Sequence, residues 1–268
     1  MTGAASPRVS VVSVVRNDLP GLQRTWASLA AQTCSDFEWV VVDGASTDGA
    51  VDWLRTLGDE RLTWVSEPDL GTYDAMNKGL AAARGSLLQF LNAGDVLASS
   101  DVLDRVARDG EAHRWSWAFG IVRFQDDEGG FLGVYAGTPY SLRLLELGYR
   151  YVPHPSCFFT RELVDRVGRY DLRYPVAADQ DFIIRAGRLA EPTVIGEILV
   201  DFVAGGASTG QAPDAFVWQA RQIRRDRRRW VGSNPVTDLL VSSALASDFR
   251  LRALAARATR RGAEAGRR

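Results

Sequence analysis

The sequence predicts an α/β fold, a doubly wound and mostly parallel sheet with helices on both faces, followed by a C-terminal helical extension. Three observations carry this. Short apolar runs alternate with helix-period segments from residue 9 to about 97. The runs are β-branched and apolar throughout, as in strands covered on both faces. Polar clusters containing Asp43, residues 67–74 and Asp95 each follow one of these runs. In parallel α/β sheets the carboxyl ends of the strands form the ligand-binding edge.

The elements follow in order. VSVVSVV (9–15) reads as a buried strand between Arg8 and Arg16. In 17–32, Leu22, Trp26, Leu29 and Ala30 recur at helical spacing, with Asp18 and Pro20 marking the start. FEWVVVDGASTDG (37–49) is a strand ending in Asp43 and a turn-rich loop, and 50–58 is a helix closed by Gly58. A strand at 61–68, a helix at 73–85 and a strand at 86–95 complete the alternation. The second half is less regular. A helix is expected at 101–110, two antiparallel strands around DDEGG within 113–137, and a short helix at 141–148. An extended stretch feeding a helix follows at 151–171, then a helix at 176–190 and a last segment at 192–206. Trp115 and Trp117 in RWSWAF suit a core strand, with stacking on a sugar as the other reading.

Composition narrows the function. A formal net charge of −1 argues against nucleic acid as a partner. Cys34 and Cys157 make neither a disulfide scaffold nor a zinc spacing, and read as reduced thiols. The opening MTGAASPR has no apolar core of a signal peptide, and no apolar run reaches the roughly 18 residues of a membrane span. A cytoplasmic protein is expected, with a place at the inner face of the membrane left open.

An acidic cluster at the mouth of a parallel sheet can hold a divalent cation against a diphosphate, because magnesium or manganese needs only one or two protein carboxylates there. Asp95 is the candidate ligand; a helix N-cap is its alternative. Asp43 can cap the next turn or accept hydrogen bonds from a base or ribose. Lys78 is the only lysine in the chain, in SEPDLGTYDAMNKG (66–79), where Gly71 permits an unusual turn. It can reach a phosphate, Asp43 or Asp95, or simply pair with Asp74 one turn away.

VSVVSVVRND, DFEWVVVDGASTDG, SEPDLGTYDAMNKGLAAARG and FLNAGD, in this order, resemble the family 2 glycosyltransferases, including enzymes of bacterial polysaccharide and colanic-acid-like synthesis. The match is dense over 9–97, returns at HPSCFFTRELVDRVGRYD and AADQDFIIR, and is faint at FVAGGAST. The resemblance implies a Rossmann-like glycosyltransferase A fold whose mouth binds a nucleotide sugar. It implies residues 1–100 as the nucleotide-sugar-binding half, 101–210 as the acceptor-binding and catalytic half of the same domain, and 211–268 as a basic helical extension. On the donor side it points to Ser13, Val15, Asn17, Asp43, Asp69, Tyr73, Asn77, Lys78, Asn92 and Ala93. Asp95 matches the metal-contacting carboxylate, for manganese or magnesium. Asn92 and Gly94 stand where many relatives have Asp, which leaves metal independence open.

The resemblance further implies an inverting transfer from the nucleotide sugar to a hydroxyl of a saccharide or lipid-linked acceptor. An in-line attack needs a carboxylate to take the hydroxyl proton. Asp179 stands at the family's general-base position, with Ala178 in place of a Glu, and Asp181 is the second candidate. Helix N-terminal charge is their structural alternative. His154 and Asp171 fall on the acceptor side. A non-catalytic nucleotide-sugar-binding subunit and a sugar nucleotidyltransferase are the competing functions.

From 221 to 268 the chain has 13 Arg against four acids, a local charge of +9. Two helices are expected in this region, AFVWQARQIRRDRRRW (215–230) and LLVSSALASDFRLRALAARA (239–258), with a loose basic tail, RATRRGAEAGRR, at the end. Such helices can lie on an anionic membrane, pack on their own domain, or join a second copy of the chain.

Overall fold

Every residue of Val9–Val15 (β1) is buried at the centre of the sheet in the computed structural model, which describes residues 6–126, 128–203, 212 and 214–265. Leu19–Ala30 (α1) follows, capped by Asp18, whose carboxylate accepts from the Gly21 N–H at 2.9 Å. Phe37–Asp43 (β2), Ala50–Leu57 (α2), Leu62–Ser66 (β3), Thr72–Ala82 (α3) and Leu87–Phe90 (β4) continue the alternation. The strand expected at 86–95 is shorter, because Asn92–Asp95 turns back with the Asp95 N–H on the Asn92 carbonyl. Val96–Leu97 (β5) and Val102–His113 (α4) come next, with Asp101 at the α4 N-cap in place of Asp95. Trp117–Gln125 (β6) and Phe131–Tyr135 (β7) form the expected antiparallel pair.

Among the described residues the chain divides into two units. The larger runs to Tyr140 and resumes at Val152. It also contains Cys157–Thr160 (β8), Arg161–Val167 (α6), Ala178–Leu189 (α7) and Thr193–Val203 (β9). The smaller unit joins Ser141–Tyr151, with its helix Leu142–Glu146 (α5), to Ala215–Asp226 (α8) and Pro235–Ala265 (α9). The sequence puts a boundary near 210, whereas the structure groups α5 with the helices beyond it. α9 also runs through most of the expected loose tail, as its alanines and arginines favour helix; the last three residues lie outside the described region, as does most of FVAGGAST.

The sheet order is β3-β2-β1-β4-β8-β6-β9-β5, with β7 on β6. β1, β2, β3, β4, β6 and β9 point one way; β5, β7 and β8 run against them. Side chains alternate between the faces of β1 and β2. Val9, Val11, Trp39 and Val41 meet Leu22 and Leu29 of α1, Leu54 of α2 and Val106 of α4. On the other face α3 packs on β1 and β2. Gly79 allows this approach, since a Cβ there would run into Val12 and touch Val42. Trp117 is wholly buried and stacks on Phe159 at 5.7 Å, so the second half of RWSWAF opens the core strand β6, with Trp115 buried just before it. Both cysteines are buried and free.

Strand order reverses at β1, because β2 and β3 lie to one side and β4 to the other. The crevice beyond the carboxyl ends of β1 and β4 is therefore a topological switch point, where open α/β sheets take their ligands.

Candidate active site

Three turns meet at this switch point. After β1 comes Val15–Asn17. Val15 is buried and its carbonyl accepts from Gly44. Asn17 adopts φ 53°, a left-handed conformation that asparagine tolerates. Its side-chain oxygen accepts from the Thr47 N–H at 2.8 Å and its own N–H donates to Ser46 Oγ at 2.8 Å. Asn17 thus stitches the first loop to the second.

Asp43 ends β2 and is fully buried. Its Oδ2 accepts from the Ser46 N–H at 2.9 Å and from Ser66 Oγ at 2.6 Å. Its Oδ1 has no partner. Asp43 therefore both ties its turn and keeps one buried lone-pair site open, and a buried acceptor without a donor is costly.

After β4 come Asn92, Ala93, Gly94 and Asp95. Thr25, a polar residue buried in α1, organises this turn. Its hydroxyl lies 3.2 Å from the Asn92 carbonyl and 2.9 Å from the Asp95 carbonyl, and accepts from the Gly94 N–H at 3.1 Å. The Ala93 N–H donates to Val14. Asn92 Oδ1 is buried without a partner. Burial holds the Asp95 carboxyl well above the usual carboxylate range, which the Asn92 backbone bond offsets only in part.

Among the described residues no three His, Cys, Asp or Glu side chains group as a metal cage. The donor set still fits a hard cation bound with a diphosphate. Asp95 supplies one carboxylate whose charge lacks compensation, Asn92 Oδ1 is an unclaimed oxygen in the same turn, and phosphate and water fill the other positions of magnesium or manganese.

The loop before α3 turns at Gly71, whose φ of 117° suits glycine. Asp69 Oδ1 accepts from the Gly71 N–H at 2.8 Å. Lys78 Nζ donates to Glu67 at 2.8 Å and to the Pro68 carbonyl at 2.9 Å, with Asp74 at 3.7 Å. The lysine fastens residues 67–74 and pairs with neither Asp43 nor Asp95.

Some residues singled out in the sequence have side chains engaged in the interior. Ser13 Oγ is buried between the Leu91 carbonyl and Trp39 Nε1, and its backbone lies in the β1–β2 ladder opposite Val41. Asn77 uses both amide atoms on the backbone of Tyr170, donating to its carbonyl at 3.0 Å and accepting from its N–H at 2.8 Å.

The late acidic motif opens α7. Asp179 is half-buried. Its Oδ1 lies 3.0 Å from Tyr73 Oη and accepts from the Gln180 N–H at 2.7 Å. Asp181 is fully buried and paired with Arg185 Nε at 2.9 Å; the same guanidinium reaches the Val167 and Arg169 carbonyls. Asp181 thereby braces the turn that follows α6. Asp171 pairs with Arg173 at 2.6 Å. His154 is buried, with Nε2 2.9 Å from Tyr170 Oη. Burial lowers its pKa, against the raising effect of Asp179. Tyr170, which the sequence did not single out, links these groups: its ring stacks on Tyr73 at 5.8 Å and on Phe182 at 4.7 Å.

Comparison with known proteins bears on the family and the fold. The Glycosyl transferase family 2 description matches residues 10–165. An uncharacterised glycosyltransferase of Mycobacterium tuberculosis is 38% identical over 231 residues, 84% of this chain and 86% of its own. A PGL/p-HBAD biosynthesis glycosyltransferase of Mycobacterium bovis is 39% identical over 186 residues, 68% and 70% of the two chains. Among solved structures, Staphylococcus aureus TarS 1-349 in complex with UDP-GlcNAc superposes with a TM-score of 0.65 at 18% identity, over 82% of this chain and 66% of that one. The mannosyltransferase PcManGT of Pyrobaculum calidifontis, with GDP-Man and Mn2+, gives 0.59 at 21% identity over 96% and 76%. These likenesses show a glycosyltransferase A fold, and the matches of sequence go further: this chain belongs to the family 2 glycosyltransferases, and is a glycosyltransferase enzyme.

Proposed function

We propose that this glycosyltransferase moves a sugar from a nucleotide-sugar donor to a hydroxyl of a saccharide or lipid-linked acceptor, with inversion at the anomeric carbon. The observation that carries the donor reading is Asp43 Oδ1, a buried acceptor without a partner at the switch point. A ribose hydroxyl or a base N–H would satisfy it. Val15–Asn17 and Asp69 flank the same crevice by their backbone and turns. A divalent cation held by Asp95 and Asn92 would neutralise the charge of the departing diphosphate.

Asp179 is the general base. Its Oδ1 is occupied by two donors, whereas Oδ2 has only a 3.5 Å contact from Gln180 Nε2. Oδ2 is thus the oxygen placed to take the acceptor proton. Asp181, closed off by Arg185, supports the helix instead. His154 is neutral and walled in by Phe90 and Tyr170, so it shapes the acceptor side rather than trading protons.

The relatives named for PGL/p-HBAD biosynthesis and the UDP-GlcNAc- and GDP-Man-bound neighbours support a glycolipid or polysaccharide setting and a nucleotide-sugar donor. No helix among the described residues is long and apolar enough to cross a membrane. α9 exposes Val236, Leu239, Leu240, Leu251 and Leu254 within about a third of its circumference. The +9 charge of 221–268 favours anionic lipid headgroups as the occupant of that stripe, since two copies would bring like charges together. We therefore place the enzyme at the cytoplasmic face of a membrane.

A thermal-shift screen of UDP and GDP, with and without manganese, tests the donor reading. Stabilisation by one of them in the wild type and its loss in Asp43→Ala is expected. A variant that binds as tightly as the wild type contradicts it.

A further inference from the structure

Tyr73 opens α3 directly after the loop 67–71 on the nucleotide edge, yet its hydroxyl points to the acceptor side. Tyr73 Oη lies 3.0 Å from Asp179 Oδ1 and 3.1 Å from the Val176 carbonyl. A phenol has one proton, so it donates to one of these at a time, and the charged carboxylate is the stronger acceptor. We propose that Tyr73 is the positioning residue of the catalytic base: it fixes the rotation of the Asp179 carboxylate, so that Oδ2 faces the incoming hydroxyl, and turns to the Val176 carbonyl when Asp179 becomes protonated. The proposal rests on Asp179 as the base and assigns Tyr73 to the base instead of the donor.

Four features fit this role. First, Tyr73 cannot be the base itself. Burial, then the charge of Asp179 beside it, hold its phenol far above the usual tyrosine range, so it stays protonated at any working pH. Second, the ring is held firmly. It stacks on Tyr170 at 5.8 Å and 26°, and Tyr170 stacks on Phe182 of α7 at 4.7 Å and 25°. Third, Asn77 lies four residues on, on the same face of α3, and clasps the backbone of Tyr170 at both ends. α3 therefore grips one residue by ring and by backbone, which fixes the distance from α3 to the start of α7. Fourth, Asp179 Oδ1 is already filled by the Gln180 N–H, so the added phenol leaves Oδ2 as the basic oxygen.

Proton accounting is simple. The acceptor O–H breaks as its oxygen bonds to the anomeric carbon, its proton passes to Asp179 Oδ2, and the nucleoside diphosphate leaves with the electrons of the broken C–O bond. Tyr73 keeps its proton throughout. While Asp179 is ionised the phenol donates to Oδ1. Once Asp179 is neutral, Oδ1 is a weaker acceptor and the Val176 carbonyl 3.1 Å away can take the bond. The hydroxyl can thus be satisfied in both protonation states.

The test is a double-mutant cycle on the full chain with Tyr73→Phe, Asp179→Asn and the pair. Nucleoside diphosphate release is followed with whichever of UDP-glucose, UDP-N-acetylglucosamine and GDP-mannose the wild type consumes. Binding of UDP and GDP is followed by calorimetry. The expected result is a kcat lowered roughly 10- to 100-fold in Tyr73→Phe, nucleotide Kd within about twofold of wild type, and no further loss when the change is added to Asp179→Asn. A nucleotide Kd that rises with kcat preserved overturns the proposal and returns Tyr73 to the donor. Full additivity of the two changes also overturns it, since Tyr73 would then act elsewhere. Wild-type turnover in Asp179→Asn alone instead overturns the base assignment, and is read separately from the Tyr73 binding result.

Discussion

Tyr73 and Asp179 meet at 3.0 Å although 106 positions separate them in sequence. One opens the helix after the third strand; the other opens the helix before the last. Their contact joins α3, early in the sequence, to α7, late in it, within the larger unit. Asn77 repeats the link one turn later through Tyr170.

Asn77→Ala should therefore act on the fold before it acts on the nucleotide. It leaves a buried N–H and a buried C=O of Tyr170 unpaired, at a cost of about 1–3 kcal/mol each. Urea unfolding should show a loss of roughly 2–6 kcal/mol, with nucleotide affinity of the folded protein close to wild type. A large loss of affinity with intact stability would make Asn77 a donor contact.

Lys78→Ala should do the reverse. The ammonium pins the loop 67–74 through Glu67, Pro68 and Asp74 at the surface. The melting midpoint should hardly move, and the Kd for UDP or GDP should rise about three- to tenfold as the loop loosens. Unchanged affinity, measured by calorimetry, contradicts a part for this loop in binding.

Asp95→Asn separates stability from function. Its folded pKa is raised by burial, so the stability it gives in the neutral form is complete below about 3.8 and is lost as pH rises through the folded value. At pH 7 the raised pKa is a cost to the fold, because the unfolded chain gains more by ionising, and asparagine removes that cost. The nucleotide-free variant should melt a few degrees higher, on the order of 1 kcal/mol, while transfer falls at least tenfold. Lower stability with full activity would contradict both halves.

His154 gives the opposite sign. Its pKa is lowered by burial from an ordinary 6.5, so its contribution is complete above about pH 6.5 and is lost as pH falls through the folded value. In that window stability should fall by up to about 1.4 kcal/mol per pH unit from this group. His154→Gln should flatten this slope in denaturation curves; an unchanged slope places the titration elsewhere.

Vesicles test the α9 face. Wild-type protein should sediment with vesicles containing phosphatidylglycerol and not with pure phosphatidylcholine, and Leu239→Ser/Leu240→Ser should weaken this. A wild-type dimer in light scattering, dispersed by the same pair, would make the stripe a subunit interface.

The parallel half was legible because its signals are local. β1, β2 and α3 need only a β-branched run or a helical period, and carboxylates at strand ends mark the open edge. The site was legible only in outline. In DQD, Asp179 and Asp181 lie two residues apart, about 200° around the helix, so one faces out when the other faces in. Spacing alone does not say which, and Arg185, Val167 and Arg169 decide it. Ser13 and Asn77 are polar residues whose side chains turn inward, because their partners Trp39 and Tyr170 come from other elements. Thr25 is missed because a threonine inside a helix looks incidental until β4 brings Asn92 and Asp95 beside it. Its one signal was a polar residue on the buried face of α1.

The most direct measurement is the transfer rate of Asp179→Asn, with nucleotide binding measured on the same preparation. A general base is worth roughly 10²–10⁴-fold, so kcat should fall by that factor while UDP or GDP binds as in the wild type. A variant with wild-type kcat would contradict the account.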